Sequence, residues 1–205
     1  SLRMYYDDAT LVGVDPHTLA IFAWDAYDER WENLGGRLFY DHEYLSVATS
    51  RFTTYALMAA PAWRDDFDDF NGLNYPAEVS NVTLNVAGDN RELVLLGAAI
   101  SGTATSKPIT PTTTIAGWGD LTFTRTIDPP TTTLTVDVLS VNGSEVLTNV
   151  GSGTDLASID PAQYPALKLR ANLSSTAAGK TPALNRWRLT WQVEEHKVYL
   201  PVVLK

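Results

Sequence analysis

The sequence predicts an all-β protein made of antiparallel sheets, and three observations carry that reading. Helical periodicity is almost missing, while short segments of alternating apolar and polar residues recur between Gly, Pro, Asn and Asp. Threonine is concentrated in runs such as TPTTT (110–114) and PPTTTLTVDV (129–138), where a β-branched residue suits the wet face of a strand. The strand candidates are many, short and evenly spaced, the pattern of an antiparallel sandwich or jelly roll.

Taken in order, the first strands are LRMYY (2–6), TLAIFAW (18–24), RLFY (37–40), YLSVATS (44–50) and TTYALMA (53–59). VDPHT (14–18) and DAYDER (25–30) read as turns. These residues form one unit of few strands, and small sheets are marginal alone. PAWRDDFDDFNGLNYP (61–76) is a junction: two prolines bracket an acidic, aromatic stretch. Beyond it come VSNVTLNV (79–86), RELVLLGA (91–98), LTFTRT (121–126), TLTVDVLS (133–140), EVLTNV (145–150), ALKLRANL (166–173) and RWRLTWQV (186–193).

With 205 residues, the chain is long enough for one large β domain or two modest ones around a real core. A net charge of −9 argues against nucleic acid as a partner, since phosphate binding needs a basic excess. Cysteine is absent, which excludes disulfides, thiol chemistry and cysteine-ligated metal. No apolar run is long enough to span a bilayer, and no signal peptide is present. Ser1 opens directly onto strand-like LRMYYD, so the chain reads as the processed product of a longer precursor.

The stretch TLAIFAWDAYDERWENLGG, followed by YLSVATSRFTTYALM, resembles the closing half of Ig-like repeats in large secreted bacterial proteins. WRDDFDDFNGL, SGTATSKPIT, GWGDLTFTRT, YPALKLRANLS and TPALNRWRLTW resemble bacterial jelly-roll modules of the galactose-binding or laminin-G-like type. VYLPVVLK resembles the C-terminal ends of some bacterial surface proteins. The resemblance implies a small Ig-like unit over residues 1–60, lacking its N-terminal half. It implies a jelly-roll-like sandwich over 61–195, an apolar strand over 196–205, and an extracellular or cell-surface location.

Candidate sites follow from the strand pattern. In RWRLTWQV, Trp187, Leu189, Trp191 and Val193 share one face, read as core because each ring buries so much area. Arg186 and Arg188 lie on the other face; in ALKLRANL, Lys168 and Arg170 lie opposite Leu167, Leu169, Ala171 and Leu173. If both strands belong to one sheet, the four cations form a basic stripe. It is either a solvated face with acidic neighbours or a docking face for a carboxylate-rich surface. In GWGDLTFT, Leu121 and Phe123 point inward, so Trp118 points outward unless a bulge at the glycines re-aims it. An outward Trp is a sugar-stacking or interface candidate, set against a satellite core role.

Asp65, Asp66, Asp68, Asp69 and Asn71 fall within seven residues, a density of hard oxygen ligands that can hold calcium; the competing reading is a hydrated acidic turn. The spacing is not that of an EF-hand, but jelly-roll modules of the resembled type often carry a structural calcium near this end. The sequons at Asn81, Asn142 and Asn172 read as chance in a Thr- and Ser-rich chain. No zinc-protease motif, nucleophile elbow or phosphate loop occurs, and His17, His42 and His196 sit in turns or the tail. No enzyme activity is expected.

The tail alternates Val198, Leu200, Val202 and Leu204 with Tyr199, Pro201 and Val203, a strand apolar on both faces and suited to insertion into a sheet. It completes either its own molecule or the under-stranded first unit of a neighbour, the second generating a head-to-tail fibre. The expected function is a non-enzymatic structural or adhesive subunit, a homo-oligomer or filament assembled by strand addition. The alternative is a carbohydrate-binding accessory module of a larger secreted enzyme.

Overall fold

Two hydrophobic clusters organise a computed structural model that describes residues 1–87 and 90–193, all of it β-sheet joined by turns and short 3₁₀ segments. The predicted C-terminal strand, with Val198, Tyr199, Leu200, Val202, Val203 and Leu204, lies outside the described residues.

The first cluster belongs to β1 (Leu2–Tyr5), β2 (Leu19–Asp25), β3 (Arg30–Gly35), β4 (Arg37–Phe39), β5 (Tyr44–Val47) and β6 (Tyr55–Ala59). They make two three-stranded antiparallel sheets, β1-β5-β4 and β3-β2-β6. One continuous run changes sheets between β3 and β4. Gly35 and Gly36 make the corner with φ of +72° and +121°, a backbone that only glycine adopts cheaply. Leu19, Ile21, Leu38 and Leu45 form the buried centre, flanked by half-buried Leu2, Met4, Val47 and Leu57.

The second cluster lies between two larger sheets built from β7 (Ala62–Asp65), β8 (Val79–Ser80), β9 (Val82–Ala87), β10 (Asn90–Leu95), β11 (Ser101–Thr105), β12 (Ile115–Thr126), β13 (Thr132–Ser140), β14 (Glu145–Val150), β15 (Thr154–Asp155), β16 (Leu167–Ser175) and β17 (Ala183–Val193). One sheet runs β15-β12-β17-β10-β9 and the other β14-β13-β16-β11-β8. Alternation explains the packing. Leu167, Leu169, Ala171 and Leu173 of β16 turn inward against Leu184, Trp187, Leu189 and Trp191 of β17. Val193, expected on the same inward face, emerges to solvent at the end of β17.

The strand β7 joins the units. One edge of β17 pairs with β10 at Leu184 and Ala183, then with β7 from Trp187 to Thr190. The chain leaving the first unit is therefore woven directly into the central strand of the second.

Candidate functional site

Two sequence expectations are overturned by this topology. Lys168 and Arg170 lie on β16, and Arg186 and Arg188 on β17, in different sheets, so the four do not form one stripe. Both Lys168 and Arg170 are absorbed by carboxylates. Lys168 is buried and donates to Glu78, while Arg170 bridges Asp137 and Glu145. Trp118 is fully buried, not outward. The register of β12 slips between Trp118 and Leu121, which returns the indole to the inward face opposite Trp191. Its Nε1 donates to the Tyr164 carbonyl at 3.0 Å. Gly119 makes the slip possible, because a Cβ there would stand 2.4 Å from Thr190 Oγ1.

The acidic run does not gather into one cluster either. Its strand alternation sends Asp65 inward and Arg64 outward, and each carboxylate then finds a different partner. Asp66 accepts from Arg186, Asp68 from Arg37, Asp69 from the Asn71 amide, and Asn71 Oδ1 from Lys107. Among the described residues no three His, Asp or Glu side chains come together as metal ligands.

What the fold does bring together is a set of arginines at the seam between the units. Arg64 of β7 stands directly opposite Arg188 of β17. Arg186 lies two residues along, on the same outward face. The Gly35–Gly36 corner lays the first unit over them, with the site of a Gly35 Cβ 3.8 Å from Arg64 Nη1, and it sets Arg37 against Asp68. The result is an open cleft of about 590 Å³ whose walls carry Arg37, Arg64, Arg186 and Arg188. A second recess of about 380 Å³ shares Arg37 and Arg186 with it and adds Asp66, Arg91, Thr124 and Asn185.

The charge balance in this seam is one-sided. Asp66, only 4% exposed, serves both Arg186 and Arg64, the latter at 3.6 Å. Arg64 is itself 13% exposed, and its Nε and Nη2 make no hydrogen bond. Burial pulls its pKa down, an effect that Arg186 and Arg188 reinforce and Asp66 opposes. Arg188 engages no hydrogen bond or ion pair among the described residues. Among the described residues, Arg37, Arg64, Arg91, Arg186 and Arg188 line the two recesses, and Asp66 and Asp68 pair with three of them.

Behind the cleft sit two buried polar residues, His17 and Asp65. His17, read as a turn residue, is in a turn but only 6% exposed. Its ring is stacked between Tyr40 at 5.6 Å and Trp63 at 5.7 Å, and its Nδ1 donates to Asp15 at 2.9 Å. Asp65 accepts from the Phe67 amide, while its other oxygen is buried without a hydrogen bond. Burial pushes the Asp65 carboxyl up to about 7, although the charge of His17 and the Phe67 amide pull it back. Burial disfavours the His17 imidazolium, but its bond to Asp15 and the charge of Asp65 more than compensate and raise its pKa.

No protein-family model matches the chain, and no curated protein matches it. Among solved structures it is similar to Arthrobacter globiformis T6 isomalto-dextranase complexed with panose, with 14% identity and a TM-score of 0.38 over 87% of this chain. The chain spans 30% of that protein's length. No helix among the described residues is long and apolar enough to cross a membrane.

Proposed function

We propose that this chain is a non-enzymatic, extracellular β-sandwich module that adheres to an acidic partner through the arginine-lined cleft between its two units. The observation that carries the reading is the opposed pair Arg64 and Arg188 at the seam: Arg64 is buried with two nitrogens short of hydrogen bonds, and the Arg188 guanidinium has no ion pair among the described residues. An unmatched cation of this kind is costly until an anion arrives. Arginine suits the role because its planar fork meets oxyanions bidentately.

Retention on a carboxymethyl-agarose column at pH 7 and low salt tests it. A protein of net charge −9 is repelled by such a matrix unless a local cationic cleft engages it. The full chain should be retarded, and Arg186→Gln with Arg188→Gln should abolish the retardation. Equal elution of both proteins would remove the cleft from the account.

Self-assembly is the second reading, favoured by one feature of the first unit. Among the described residues β1 pairs only with β5 and β6 only with β2, so each leaves a sheet edge open to an added strand. Removing residues 196–205 should convert oligomers to monomers in sedimentation velocity. Unchanged particles would end this reading and leave the cleft untouched.

A further inference from the structure

We infer that the seam cleft takes an acidic oligosaccharide, gripping ring oxyanions with Arg64 and Arg188 and extending along Arg186 and Arg37 into the adjoining recess. This rests on the cleft being a binding site, and it names the ligand class.

Arg64 and Arg188 are a directly opposed cross-strand pair of like charge. Such pairs destabilise a sheet, and here one member is mostly withdrawn from water. Asp66 does not resolve the conflict. It is shared with Arg186 and lies 3.6 Å from Arg64 Nε, so Nε and Nη2 still lack acceptors. An oxyanion seated beside Arg188 gives that guanidinium an acceptor and screens its repulsion with Arg64, whose enclosed Nε and Nη2 gain from the charge alone.

Length and lining then select among oxyanion carriers. The two recesses share Arg37 and Arg186, so together they offer several cationic positions, more than one isolated ion needs. The lining of the two recesses also carries Asn33, Ser46, Thr124 and Asn185. These neutral amides and hydroxyls match sugar hydroxyls, which an acidic peptide lacks in such number. Gly35 and Gly36 add bare backbone to one wall. Apolar lining is limited to Leu34, Val47 and Ala48, too little to form side-chain pockets for a peptide. Strand addition is also closed along β17, which is paired with β12 on one side and with β10 and β7 on the other. A uronate carboxylate and a sulfate ester present the same oxyanion chemistry.

Calorimetric titration of the full chain separates the cases. The probes are trigalacturonate, a sulfated galactose trimer, a neutral galactose trimer and a pentaglutamate peptide. The acidic trimers should bind and the neutral trimer should not. Arg188→Gln should weaken the preferred acidic trimer about tenfold or more, while Arg30→Gln, on the exposed β2–β3 hairpin, should not. The tighter of the two acidic trimers identifies the oxyanion. If pentaglutamate binds through Arg188 as tightly as either trimer, the saccharide assignment is overturned while the anion cleft stands. If no acidic probe responds to Arg188→Gln, the cleft itself is lost as a binding site. Arg188 is exposed and its guanidinium has no ion pair among the described residues, so its replacement should leave the fold intact; a melting curve superimposed on that of the parent protein verifies this.

Discussion

The two units solve the same problem with unequal means. The second buries Trp63, Trp118, Trp187 and Trp191 between two large sheets, whereas the first has no buried tryptophan and a centre of Leu19, Ile21, Leu38 and Leu45. The first also leaves large rings in solvent, with Tyr5, Tyr27 and Phe52 well exposed. A unit so thinly filled leans on its neighbour. The seam shows how: His17 stacks on Trp63, Arg37 pairs with Asp68, and β7 passes straight into the second sheet. The lesson is that the arginine-lined cleft is a consequence of the weaker unit meeting the stronger one.

The largest test of this contrast is truncation of each core. Trp187→Ala, at a fully buried site in contact distance of Trp63 and Phe67, should cost about 3–5 kcal/mol. Because β17 also holds β7, it should unfold both units together in chemical denaturation. Ile21→Ala should cost about 2–5 kcal/mol and loosen the first unit alone, visible as lost amide protection in β2 with β16 unaffected. Equal loss of protection in both units would show that they are one cooperative body.

A smaller and pH-dependent effect sharpens the role of the seam. Asp65 titrates near 7 in the folded protein and near 3.8 when unfolded. The folded state therefore holds the extra proton, and this contribution to stability is full below pH 3.8 and lost as pH rises through 7. His17, whose pKa is also raised, acts in the same direction. Asp65→Asn should leave stability at pH 4 nearly unchanged. At pH 8 it should raise stability relative to the parent by up to about 4 kcal/mol. Parallel stability curves for the two proteins would place the titration elsewhere.

How far the sequence reveals all this depends on alternation. β13, β16 and β17 are legible as strands, and for β16 and β17 the inward face is the expected one up to Val193. RWENLG shows no such pattern, so alternation predicts no strand there; its strand state comes from pairing with β2. β7 is hidden in four residues of an acidic junction and is defined by the edge of β17 it completes. For Trp118 alternation alone leaves two faces open, and the register slip at Gly119, the bulge the glycines allow, selects the inward one. Of the cleft, only Arg186 and Arg188 were visible. Arg37, Arg64 and Arg91 come from distant segments that the topology alone brings to one seam. His17 carried a weak local signal, an aspartate two residues before it that caps its turn, but nothing local foretells burial between Tyr40 and Trp63.

The central claim is that the ligand sits in the seam, and amide chemical-shift mapping during titration with trigalacturonate tests it most directly. The account predicts shifts at residues 33–37, 46–48, 64 and 186–188, from both units at once. Shifts confined to the exposed rings of Tyr27, Trp31 and Phe52 on the far hairpins, or to the outer face of β16, would contradict it.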